Sequence, residues 1–175
     1  MVNLSNSAVI LLEAVLNQKG AQVFGSWFQD AVAHALGTMD AYPRCYMNRG
    51  AGQPDIIVGR TGFEVKSTAD GTVALDGNYQ AIRDQYDRFK LVGLRTDLKP
   101  FPLWVLEMPL NPPNRLTFNR IMDSRTPVDA ELNRELAMRL SLVLVAAGTS
   151  WTEAQDRDIG CAALRRAAEA ELLTR

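Results

Sequence analysis

Residues 53–66 read QPDIIVGRTGFEVK. Two apolar runs, Ile56–Val58 and Phe63–Lys66, flank the glycine-bounded stretch Gly59-Arg60-Thr61-Gly62, the pattern of a β-hairpin. Asp55, Glu64 and Lys66 are the residues that do not belong in a buried hairpin. If Val58 pairs with Phe63 across the turn, Asp55 comes opposite Lys66 and Ile57 opposite Glu64. Strand side chains alternate, so the three charged groups then share one face, with Glu64 diagonal to Asp55. Two carboxylates and an ammonium converging in this way form a site for a hard divalent cation with a lysine beside it. A solvated Glu–Lys pair on a wet hairpin explains the pattern less well, because Ile57 would lie on the wet face.

Outward from the hairpin, the N-terminal side reads as two helices. Ser5 or Ser7 caps the first, which runs to about Gln18 and stops at Lys19-Gly20. The second spans about Ala21 to Leu36, with Val23, Phe24, Trp27, Phe28, Val32 and Leu36 as its inner stripe and Gly37 at its end. Residues 42–47 (YPRCYM) read as a strand, followed by the glycine-rich loop 48–52. Beyond the hairpin come a polar connection over 67–77 and a helix over Asn78–Leu91. Leu103–Met108 then forms a core strand, apolar enough to be covered on both faces. Arg115–Ile121 reads as an edge strand, and helices follow over about Asp129–Ala147 and Thr152–Leu173. This order makes one α/β or α+β domain with helices flanking a mixed sheet. A chain of 175 residues is long enough for one such core.

Composition excludes several classes. The chain is 47% hydrophobic and 22% charged, with a net charge of −1, as in ordinary globular proteins. Residues 41–100 carry nine Lys or Arg against seven Asp or Glu, so the hairpin lies in the basic part of the sequence. Cys45 and Cys161 have no metal-ligand spacing and read as free thiols of a reducing compartment. No stretch approaches the ~18 uncharged apolar residues of a membrane span, and the N-terminus lacks a basic leader, so a cytoplasmic location is expected. His34 stands alone in mid-helix, which removes histidine-based mechanisms. Trp27, Trp104 and Trp151 read as core or cap residues. No P-loop is present, so no nucleotide cofactor is expected.

Pro54-Asp55…Glu64-Val65-Lys66 resembles the signature of the PD-(D/E)XK superfamily, the restriction-endonuclease-like nucleases. The group includes type II restriction enzymes and archaeal Holliday-junction resolvases. Residues 25–30 (GSWFQD) look like the helix that opens the resolvase core, where members often place a metal-binding Glu. Gln29 holds that position here, with Asp30 next to it. Gln80 falls where several members carry a glutamine. The likeness covers residues 25–108, and residues 1–20 and 112–175 appear as helical additions for dimerisation or DNA recognition around a core at about 21–108.

The resemblance implies a restriction-endonuclease-like core and a Mg²⁺-dependent endodeoxyribonuclease. Mn²⁺ is the expected substitute metal, and a homodimer acting on double-stranded DNA the expected assembly. Asp55, Glu64 and the Val65 carbonyl would hold the metal, since oxygen ligands suit Mg²⁺. Lys66 would orient the attacking water or bind a phosphate oxygen. Gln29, Gln80 and Glu13 are accessory candidates, Glu13 if the first helix packs over the site. Arg44, Asn48 and Arg49 ahead of the hairpin, Ser67 and Thr68 after it, and Arg83 are candidate DNA contacts. A type II restriction enzyme is the leading expectation. A junction resolvase, a repair nuclease and a catalytically inactive DNA-binding member are the alternatives.

Overall fold

A computed structural model of the chain describes residues 2–42, 45–47, 53–74, 86–108, 115–117 and 128–152. Ser5 opens helix α1 (Asn6–Gly37) as its N-cap, the hydroxyl accepting from the Ala8 N–H at 3.3 Å. At Gly20 the backbone takes φ 81 and ψ 168, values a side chain would resist, and this splits α1 into the two expected helical arms. The second arm is buried through Phe24, Trp27, Phe28, Ala31, Val32, Ala35 and Leu36, with the Phe24 and Phe28 rings stacked at 6.3 Å. Its last turn is closed by Thr38, whose hydroxyl donates to the Ala35 carbonyl at 2.7 Å.

Eight strands lie among the described residues: β1 (Val2–Asn3), β2 (Tyr46–Met47), β3 (Ile56–Val58), β4 (Thr61–Thr68), β5 (Thr72–Ala74), β6 (Arg88–Arg95), β7 (Pro102–Glu107) and β8 (Arg115–Thr117). Six form one sheet in the order β1-β7-β6-β4-β3-β2, while β5 and β8 form a separate antiparallel pair. Within the large sheet, β4 and β6 run parallel over eight residue pairs, and every other neighbouring pair is antiparallel. Helix α2 (Ala130–Thr152) completes the described elements. The architecture is α+β: a mixed sheet plus two long helices.

Several expectations change here. The end of the helix expected over Asn78–Leu91 is corrected, because Arg88 onward is strand β6, while residues 78–85 lie outside the described residues. Leu91, Val92 and Leu94 are buried on alternate faces of a central strand, and such a run lacks the two-residue alternation that marks a half-exposed strand. The strand expected over 42–47 is confined to Tyr46–Met47. Tyr42 belongs to the turn after α1, donating its N–H to the Met39 carbonyl and packing its ring edge-on against Phe63 at 5.5 Å. Arg115–Thr117 pairs with β5 rather than edging the large sheet.

Both faces of the large sheet are covered. On one, Ile56, Phe63, Val65, Val92, Leu94, Leu103 and Val105 join α1 and α2 in a single apolar cluster. Ala8, Leu12 and Val15 of the first arm, with Leu136, Leu140, Val143 and Leu144 of α2, belong to that same cluster, so both terminal helices complete the core of the chain. On the other face, Leu91, Trp104, Leu106 and Met108 meet Val73 of β5. No helix among the described residues is long and apolar enough to cross a membrane.

Lys90 fastens α2 to the sheet. Its side chain is 3% exposed and its ammonium bonds to Glu107, its cross-strand partner on β7, and to Asp129 at 2.7 Å. Asp129 in turn caps α2, its other oxygen accepting from the Leu132 N–H at 3.1 Å. Burial pulls the Lys90 pKa down, but the bonds to Asp129 and Glu107 outweigh it and hold the pKa above its usual 10.5. The stabilisation from this ammonium is therefore complete below 10.5 and lost as pH rises through the raised value. Lys90→Ala should cost about 2 kcal/mol in denaturant unfolding, less than for a fully buried pair because both carboxylates are partly solvated. The deficit against the parent should close only above pH 10.5.

Candidate active site

The β3–β4 hairpin turns through two residues, Gly59 and Arg60, and not through the four expected. Gly59 has φ +56 while Arg60 keeps a negative φ, the sign pattern of a type II′ turn with glycine first. The pairing is therefore Val58 with Thr61, Ile57 with Gly62 and Ile56 with Phe63, which corrects the expected partnership of Val58 with Phe63 and of Ile57 with Glu64. The correction is a slip of two residues. Because the side-chain period is also two, it changes every partner and moves no side chain to the other face. Phe63 and Val65 still enter the core beneath α1, and Glu64 and Lys66 still share the opposite face.

The three charged groups converge. Lys66 Nζ lies 2.5 Å from Glu64 Oε1 and 3.9 Å from Asp55 Oδ2. The side chains of Glu64, Asp55 and Lys66 are 10%, 20% and 33% exposed, so the cluster is shielded and still open to solvent through Lys66. Asp55 lies one residue ahead of β3 and holds the sheet through its side chain, Oδ2 accepting from the Val65 N–H at 2.8 Å. A strand residue aims its N–H and C=O toward the same neighbour, so the Val65 carbonyl is directed to the edge where Asp55 sits. Burial raises the Asp55 pKa above its ordinary 3.8, while the Val65 N–H and the Lys66 ammonium pull it back.

This donor set suits a hard cation. Asp55, Glu64 and the Val65 carbonyl offer oxygens only, and the nearby ammonium offsets part of the carboxylate repulsion. Among the described residues no group of three or more Asp, Glu, His or Cys comes together.

A bracket of contacts holds the approach to Asp55. The Tyr86 hydroxyl donates to Gln53 Oε1 at 3.1 Å, and the Asp87 carboxylate takes Arg60 Nε at 2.7 Å. The Arg60–Asp87 link spans 27 residues, and no local spacing announces it. Pro54 packs over Gly62: a Cβ there would meet the proline ring at 2.7 Å and Phe89 at 3.3 Å. Neither Gln53 nor Tyr86 stands out in the sequence, where only the Gln-Pro-Asp run hints at a constrained link.

The other candidates are placed as follows. Gln29 is half-buried on α1, one turn beyond Gly25, whose missing side chain would point to within 3.7 Å of the Ser67 hydroxyl. Ser67 thus faces α1, behind the sheet from Glu64 and Lys66. Thr68 is committed to the turn that follows, its hydroxyl donating to Asp70 Oδ1 at 2.9 Å. Glu13 is ion-paired with Lys99, so the first arm of α1 does not carry it to the charged cluster. Cys45 is a free thiol, its pKa pushed up to about 12 by burial, while Cys161 lies outside the described residues. Arg44, Asn48, Arg49, Gln80 and Arg83 also lie outside them.

Compared with protein-family models, curated proteins and solved structures, the chain has no significant match.

Two outcomes follow from the geometry. Since folding raises the Asp55 pKa, the folded chain holds that proton more tightly, and stability falls as pH climbs through 3.8 toward the raised value. Asp55→Asn keeps an acceptor for the Val65 N–H without the buried charge, so it should melt a few degrees above the parent at pH 7. That gap should shrink near pH 4, and a variant less stable than the parent at pH 7 contradicts the account. Gly62→Ala should drive Pro54 off its seat at a cost of about 1–3 kcal/mol, measured by chemical unfolding.

Proposed function

We propose that this chain is a metal-dependent phosphodiesterase that cuts duplex DNA, with Asp55, Glu64 and Lys66 as its catalytic residues. The observation that carries the reading is the convergence of those side chains on one face of the β3–β4 hairpin, within 2.5 and 3.9 Å of a common ammonium. Folding requires no such cluster: an apolar or neutral hairpin would spare the burial of two carboxylates.

Asp55, Glu64 and the Val65 carbonyl would hold Mg²⁺, or Mn²⁺ in its place. The bound ion supplies Lewis acidity, lowering the pKa of coordinated water and offsetting charge on phosphate oxygens. The chain's own residues do the rest. Asp55 is fixed by the Val65 N–H, which binds its Oδ2. Glu64 is walled by Leu91 beside it on β6, which excludes water from one side. Lys66 holds its ammonium at the open side of the pair, placed to bind a phosphate oxygen or to orient the attacking water. Gln29 and Gln80 are accessory candidates in this scheme, and a restriction-type role acting as a homodimer is preferred over junction resolution.

Incubation with plasmid DNA in Mg²⁺, against EDTA, tests the reading. Metal-dependent cutting is expected, with Asp55→Ala and Lys66→Ala each slower by on the order of a hundredfold or more. Discrete fragments favour the restriction role, and cutting of four-way junctions alone favours a resolvase. Binding without cutting of either substrate sinks the catalytic assignment, as do variants that match the parental rate.

A further inference from the structure

Asp55 is the one member of the charged cluster that no strand carries. Glu64 and Lys66 sit inside β4, in register with Leu91 and Gly93 of β6, whereas β3 begins at Ile56. Among the described residues one hydrogen bond, from the Val65 N–H, holds the carboxylate from the far side. On the near side the chain arrives through Gln53-Pro54. Proline fixes its own φ near −65° and restricts the residue before it, so this link is stiff and a displacement of Gln53 passes on to Asp55.

We propose that Tyr86 is a positioning residue for the metal site, holding Gln53 and, through Pro54, the Asp55 carboxylate. The proposal rests on the metal-binding role assigned to Asp55. Tyr86 Oη donates to Gln53 Oε1 at 3.1 Å. The segment that carries Tyr86 is itself a firm post. The Asp87 N–H donates to the Arg60 carbonyl at 2.9 Å, the Asp87 carboxylate grips Arg60 Nε at 2.7 Å, and the chain then enters β6, paired along its whole length with β4. Residues 86–87 thus grasp the hairpin on both sides of β3, at Gln53 ahead of it and at Arg60 in the turn. Between those holds the Pro54 ring is seated over Gly62. A carboxylate ligand misplaced by a fraction of an ångström binds its ion poorly, so the hydroxyl of Tyr86 sets metal affinity without touching the metal.

Titration calorimetry of the full chain with MgCl₂ alone, alongside the cleavage rate at saturating Mg²⁺, tests this. Tyr86→Phe removes one oxygen and should weaken Mg²⁺ binding about tenfold, in the range found for groups that orient metal ligands. The rate at saturating metal should fall less than threefold, and melting should shift by only a few degrees. Gln53→Met should do the same, and the double variant should be no worse than either single, because both break one contact. Gln53→Glu, which keeps an acceptor for the tyrosine hydroxyl, should retain the parental affinity. Parental affinity in Tyr86→Phe, additive losses in the double variant, or an equal loss in Gln53→Glu each overturn the proposal. A parent protein that neither takes up Mg²⁺ nor cuts DNA overturns this proposal and the nuclease reading together. A parent that does both, with Tyr86→Phe matching it, overturns this one alone.

Discussion

Everything in this fold hangs on the pairing of β4 with its two neighbours. β4 is parallel to β6 over eight residues and antiparallel to β3 across a two-residue turn, so its register is fixed from both sides. A slip of one residue would carry Phe63 and Val65 out of the core and send Glu64 and Lys66 into it. Burying those two charges among Phe28, Val92 and Leu103 would cost several kcal/mol per ion. The apolar face therefore enforces the placement of the charged face, and the candidate site is a by-product of where the core must lie.

Two clusters in this chain have the same composition, a lysine between two carboxylates, and differ in what surrounds them. Lys90 is nearly sealed, its ammonium held by Glu107 and Asp129, and Asp129 spends its second oxygen on a helix cap. That cluster is a rivet between β6, β7 and α2. In the hairpin the lysine is the most exposed of the three groups and the carboxylates are the more enclosed. An exposed ammonium over enclosed oxygens can release them to an incoming cation and turn to an anion instead, which the buried rivet cannot do without unfastening α2.

Fixing Asp55 by side chain and not by ladder is the less economical choice, and the surroundings show how it is compensated. Pro54 stiffens the approach and Gly62 leaves room for its ring, while residues 86–87 bind the hairpin at two points. The Asp55 pKa, raised by burial against the pull of Val65 and Lys66, records the cost in stability of keeping a carboxylate there.

Taken alone, the sequence determined the hairpin, the break at Gly20 and the common face of Asp55, Glu64 and Lys66. These follow from local chemistry: glycine tolerates the backbone of the break and the turn, and a period of two survives an error of two in register. Strand β6 was not legible, since a central strand buried on both faces has no alternation to distinguish it from the end of a helix. The partner of Glu13 and the facing of Ser67 were decided by tertiary structure, because each depends on which surface of the sheet α1 covers. So was the bracket of Gln53, Arg60, Tyr86 and Asp87. Hydrogen bonds across some thirty residues leave no periodic trace, and only the folded sheet brings their ends together.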